Sequence, residues 1–121
     1  MKLVLIEDED ILRKSLTFFL NTNGFQVYDF DNGLEALNFI NENHNELSLI
    51  ITDLNLPFTS GKEIVFEVKK NYEIPVIVLT ASGVEQTEME ILELGAEDFI
   101  VKPFSPPVLL QRMKRIVKNK E

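Results

Sequence analysis

Short apolar runs recur along the chain: LVLI from Leu3, LSLIIT from Leu47, PVIVLT from Pro75 and DFIV from Asp98. None alternates with polar residues, and each gives way to a polar stretch of helical length. Runs of that kind read as strands buried on both faces of a parallel sheet. Between the first two, Ile11, Leu12, Leu16, Phe19 and Leu20 repeat at helical spacing, and NGFQVYDF from Asn23 supplies a turn glycine and a more polar, edge-like strand. Helix starts are marked as well. Asn32 with Glu35 and Ser60 with Glu63 have the spacing of a capping box, and Ser105-Pro106 offers an N-cap with proline at the first helical position. Gly24 and Gly95 stop the helical patterns they follow. The pattern predicts strands near 2–7, 25–30, 48–53, 76–81 and 98–101, alternating with helices. Such alternation implies a doubly wound α/β domain, with five parallel strands, right-handed crossovers and helices on both faces.

Composition narrows the picture. A length of 121 residues suits one domain, so residues 1–121 are expected to fold together, and 45% hydrophobic residues supply a core. The chain lacks cysteine, which excludes disulfides and thiolate metal sites. No run approaches the roughly twenty apolar residues of a membrane helix. Met1-Lys2 leads straight into an apolar run without the layout of a signal peptide, and a cytoplasmic protein is expected. The 20 acidic and 12 basic residues give a net charge of −8. That balance repels phosphate backbones, so this domain is not expected to bind nucleic acid directly. A cation or a basic protein surface is the better-matched partner.

Ligands of doubly wound sheets bind beyond the carboxyl ends of the strands. There the chain places Glu7 and Asp8 after the first run, Asp53 after the third, Thr80 at the end of the fourth and Lys102 after the fifth. Carboxylates that converge repel one another unless a cation sits among them. Oxygen ligands without His or Cys nearby suit a hard cation, Mg²⁺ first. An aspartate can act as a nucleophile and form an acyl phosphate, whose oxygens would need an ammonium, a cation and a hydroxyl donor. Glu9 and Asp10 fit helix-start duty beside the dipole, and His44, in the polar stretch NENHNEL, reads as a surface residue.

The segments LIEDED, ITDLNLPFTSG, VIVLTA and GAEDFIVKPFS, in that order at successive strand ends, closely resemble the receiver domain of bacterial two-component response regulators. The resemblance covers essentially the whole chain. It implies a flavodoxin-like sheet ordered 2-1-3-4-5, in which the first and third strands are neighbours and Glu7, Asp8 and Asp53 converge. It also implies roles: Asp53 as phosphoacceptor, Asp8 as a direct Mg²⁺ ligand, Glu7 acting through water, and the backbone carbonyl of Asn55 as a further ligand. Lys102 resembles the lysine that pairs with the acceptor carboxylate and then with the phosphoryl group, and the resemblance implies a cis Lys102-Pro103 bond. Thr80 and Phe99 resemble the pair that reports phosphorylation. The donor would be a sensor histidine kinase, and the chain would catalyse its own phosphorylation and dephosphorylation only.

Some positions vary from the commonest pattern. Glu7 stands where Asp is frequent, Phe58 occupies a loop that is usually more polar, and Asn55 and Ser82 lie where autodephosphorylation is tuned. The final segment, GAEDFIVKPFSPPVLLQRMKRI, resembles the winged-helix transcription-factor subgroup, which implies a homodimer through the fourth helix, fifth strand and fifth helix when phosphorylated. In that dimer Asp98 and an acidic helix bearing Glu85, Glu88, Glu90 and Glu93 would meet Arg112 or Arg115 of the twin chain. The match is partial at Glu88 and Val108. Transcriptional output would come through an attached effector, and an end at VKNKE fits either a single-domain regulator or a receiver followed by one. Two competing readings are weaker. A flavin electron carrier would not place EDED where a flavin phosphate binds, and a non-phosphorylated interaction module would not need Asp8, Asp53, Thr80 and Lys102 together.

Overall fold

The computed structural model describes residues 1–81 and 83–120, with the backbone alone described at 119 and 120. In chain order the elements are β1 (Lys2–Ile6), α1 (Asp10–Thr22), β2 (Gln26–Phe30), α2 (Gly33–Asn43), a 3-10 turn (His44–Glu46), β3 (Leu47–Asp53), α3 (Gly61–Asn71), β4 (Val76–Thr80), α4 (Glu85–Glu93), β5 (Asp98–Val101) and α5 (Pro106–Lys120). The strands form a parallel sheet ordered β2-β1-β3-β4-β5. This is the expected fold, and the expected strands match it to within a residue at each end.

The apolar runs are continuous because successive side chains enter two different cores. Val4, Ile6, Ile50, Val76 and Val78 pack with Ala36, Ile40, Ile64, Val65, Val68 and Ile91 of α2, α3 and α4. Leu3, Leu5, Leu49, Ile51, Ile77 and Leu79 pack with Leu16, Leu20, Leu109, Leu110 and Met113 of α1 and α5. Every residue of β4 is buried, whereas Gln26 and Asp29 of the edge strand β2 are exposed. Each fully buried Leu or Ile contributes about 1.5–3 kcal/mol.

The helix starts act as their sequences suggest. The Asn32 side chain accepts from the Glu35 N–H at 2.9 Å, and Ser60 accepts from the Glu63 N–H at 3.3 Å. Gly24 and Gly95 take left-handed φ values of 92° and 105° just beyond α1 and α4. α1 differs from α2 and α3, since Glu9 at its N-cap makes no side-chain cap hydrogen bond. The segment before it is shaped by other contacts.

Candidate functional site

Sheet register brings the expected residues together. Ile6 pairs with Thr52, so Glu7 and Asp53 follow side by side, and Thr80 pairs with Val101, which puts Lys102 next to the end of β4. Main-chain bonds carry this alignment past the strand ends. The Glu7 N–H donates to the Phe30 carbonyl at 3.0 Å, the Leu54 N–H to Leu79 at 2.8 Å, and the Lys102 N–H to Thr80 at 2.7 Å. Behind Asp53, the first turn of α3 is pressed against the β3 backbone. A Cβ on Gly61 would lie 2.3 Å from the Asp53 carbonyl oxygen, so this approach needs a glycine.

Glu7, Asp8 and Asp53 each offer a carboxylate oxygen within 4.8 Å of the others. Glu7 and Thr80 are fully buried, Asp53 is 6% exposed, and Asp8 faces solvent. Lys102 Nζ lies 2.5 Å from Glu7 Oε1 and 3.2 Å from Asp53 Oδ2. The lysine thus holds both acids and sits closer to Glu7, a preference not expected from the sequence. Glu7 Oε2 also accepts from the Glu9 N–H at 3.2 Å, and Asp53 Oδ1 accepts from the Leu54 N–H at 2.9 Å.

The two buried carboxylates that face the ammonium, Glu7 and Asp53, titrate unevenly. Burial, then the charge of Glu7, push the Asp53 carboxyl up to about 6, although Lys102 pulls the other way. Burial also presses Glu7 upward, but the hydrogen bonds from Lys102 and the Glu9 N–H outweigh it and leave its carboxyl below the ordinary value. Lys102 is raised, since its bond to Glu7 and the charges of Asp53 and Glu7 exceed the opposing effect of burial. The site holds more negative charge than its own lysine neutralises. An all-oxygen, anion-rich cluster is the donor set of a hard divalent cation.

The other expected residues stand around this centre. Asn55 is exposed in the loop after β3. Phe99 is partly buried and packs on the core beneath α2, α3 and α4, opposite Val78 in the ladder. The Lys102-Pro103 bond is cis. Ser82 lies outside the described residues. Phe58 is 95% exposed with φ at 69°, at the centre of a γ-turn closed by the Thr59 N–H donating to the Pro57 carbonyl at 2.7 Å. Asp98, expected to meet an arginine of a twin chain, accepts from Arg112 of its own chain at 3.1 Å through both carboxylate oxygens.

One participant was missed from the sequence. Arg13 donates from Nη1 to the Glu7 carbonyl at 3.0 Å, while its Nη2 pairs with Asp10 at 2.8 Å and its Nε with Asp29 at 3.2 Å. The only signal was the i,i+3 spacing of Asp10 and Arg13, which many solvated helices share.

Comparison with known proteins agrees with this fold. The family model of the response regulator receiver domain matches residues 3–114. The transcriptional regulatory protein SrrA of Staphylococcus aureus is 34% identical over 118 residues, a match that covers 98% of this chain and 48% of SrrA. The chain therefore spans about half the length of the curated relatives it matches. The receiver domain of the Francisella response regulator 1452 superposes with a TM-score of 0.92 at 27% identity, covering 99% of this chain and 98% of that one. The BeF3-activated N-terminal receiver domain of Klebsiella pneumoniae RstA gives 0.89 at 25% identity, covering 97% and 98%.

Proposed function

The chain belongs to the response regulator receiver family, whose members are signalling switches, and on that premise we propose that it is switched by phosphorylation of Asp53. The observation that carries this reading is the nearly buried Asp53 carboxylate, held by Lys102 within an excess of negative charge. The residues present fit Mg²⁺: Asp8 and Asp53 would hold it directly, Glu7 through water, with the Asn55 carbonyl as a further ligand. Bound there, Mg²⁺ would supply positive charge to the oxygens of the transferring phosphoryl group.

A sensor histidine kinase supplies the group. An Asp53 carboxylate oxygen forms a bond to phosphorus as the phosphorus–nitrogen bond of the donor histidine breaks, and the bonding pair stays on the imidazole nitrogen. Lys102, already 3.2 Å from Asp53, pairs with the new phosphoryl oxygens. Thr80 donates its hydroxyl to one of them. Its movement opens space into which Phe99 turns, and α4, β5 and α5 shift between two populated arrangements. The output is a changed affinity for a partner: a second copy through that face, or an attached effector that acts on DNA, in the cytoplasm. Dimerisation by this route exchanges the internal Asp98–Arg112 pair for one between chains.

Incubation with a small acyl phosphate, with and without Mg²⁺, tests the proposal by intact mass. The expected result is a Mg²⁺-dependent gain of one phosphoryl group that Asp53→Asn abolishes. A gain that survives Asp53→Asn would place the acceptor elsewhere, and no gain from either a small donor or a kinase would favour an interaction module.

A further inference from the structure

Arg13 lies in the first turn of α1, outside the carboxylate cluster, with a side chain only 12% exposed. Its guanidinium ties together the Glu7 carbonyl, Asp10 of α1 and Asp29 of β2. We propose that Arg13 is a positioning residue for the acidic loop: by clamping the peptide between Glu7 and Asp8, it aims the Asp8 carboxylate and sets the affinity of the site for a divalent cation. The inference rests on the cation site proposed above.

A peptide group is planar, so holding the Glu7 carbonyl restrains the plane that leads into Asp8 and the position of the Asp8 Cα from which its side chain departs. Glu7 has independent supports, its N–H on Phe30 and its carboxylate on Lys102. Asp8 is exposed, so the clamped peptide is the support that sets where its side chain starts. A planar fork with several donors suits this task, because one rigid group reaches anchors on different elements. Lysine offers a point charge and cannot reproduce the span.

The sign of the effect separates positioning from charge. Arg13 is a cation near a cation site, so through charge alone its removal would tighten metal binding. Through positioning, its removal weakens binding, and groups that orient ligands typically contribute about 10–100-fold to metal affinity. Calorimetric titration of the full chain with Mg²⁺ is the direct test, applied to wild type, Arg13→Gln, Arg13→Lys and Asp29→Asn, with thermal melts to establish folding. Arg13→Gln is expected to weaken Mg²⁺ about tenfold, and Arg13→Lys to weaken it despite keeping the charge. Asp29→Asn leaves the contact with the Glu7 carbonyl and is expected to stay near wild type. In acyl-phosphate assays Arg13→Gln raises the Mg²⁺ concentration needed for half-maximal rate, and saturating Mg²⁺ restores the rate. Unchanged or tighter binding in Arg13→Gln and Arg13→Lys would overturn the proposal while leaving the cation site standing. A wild-type chain that binds no Mg²⁺ would overturn both.

Discussion

β4 has a lysine–glutamate pair at each end, and the two are built differently. At its start, Lys69 pairs with Glu97 and donates to the Ile74 carbonyl at 3.2 Å, while Glu97 also accepts from the Val76 N–H at 3.3 Å. One cation meets one anion there. Beyond its other end, Lys102 faces Glu7 and Asp53 with Asp8 alongside. Both lysines are similarly shielded, at 21% and 19% exposure, so burial of the cation does not distinguish the sites. Charge balance does, together with the deeper burial of the acids at the second end. The first pair is complete and ties α3 to the sheet; the second leaves an anionic surplus that a cation can complete.

The largest effect is expected where the anionic end is supported from behind. Gly61→Ala drives a Cβ into the Asp53 carbonyl and should cost about 3 kcal/mol in denaturant unfolding, with loss of phosphorylation. Next comes a direct contrast between the ends. Lys69→Met and Lys102→Met should each destabilise by about 1–3 kcal/mol by leaving shielded carboxylates unpaired. Millimolar Mg²⁺ should restore much of the loss in the Lys102 variant and none in the Lys69 variant; equal responses would erase the contrast.

Asp53→Asn should instead stabilise the metal-free protein. The Asp53 carboxyl is raised from 3.8 to about 6, so the folded state holds a proton that the unfolded chain releases, and stability falls as pH rises through that window. The advantage of Asn is therefore full above pH 6, at most about 3 kcal/mol, and fades as the pH drops toward 4. Thermal melts of both proteins across that range measure it. The smallest effect concerns Phe58, whose left-handed φ of 69° at a 95% exposed position is strained. Phe58→Gly should gain about 0.5–1 kcal/mol in chemical unfolding, the relief of strain being offset in part by glycine entropy.

The sheet was legible because burial on both faces leaves uninterrupted apolar runs, and the gathering of Glu7, Asp8, Asp53, Thr80 and Lys102 at one edge was legible because they sit where those runs end. Other features depend on long-range geometry. The closer approach of Lys102 to Glu7 follows from how two loops meet across 95 residues of sequence. A phenylalanine carries no signal for a left-handed turn. The Asp98 and Arg112 charges were identified as complementary, yet complementarity does not say whether partners share a chain. Arg13 escaped notice because its key acceptor is a backbone carbonyl, which every residue has.

Calorimetric titration of the metal-free protein with Mg²⁺ measures the surplus charge at the carboxyl edge most directly. Saturable binding of one ion per chain, unchanged in Lys69→Met and strongly weakened in Asp53→Asn, is the predicted result. Absence of saturable binding, or binding indifferent to Asp53→Asn, would contradict it.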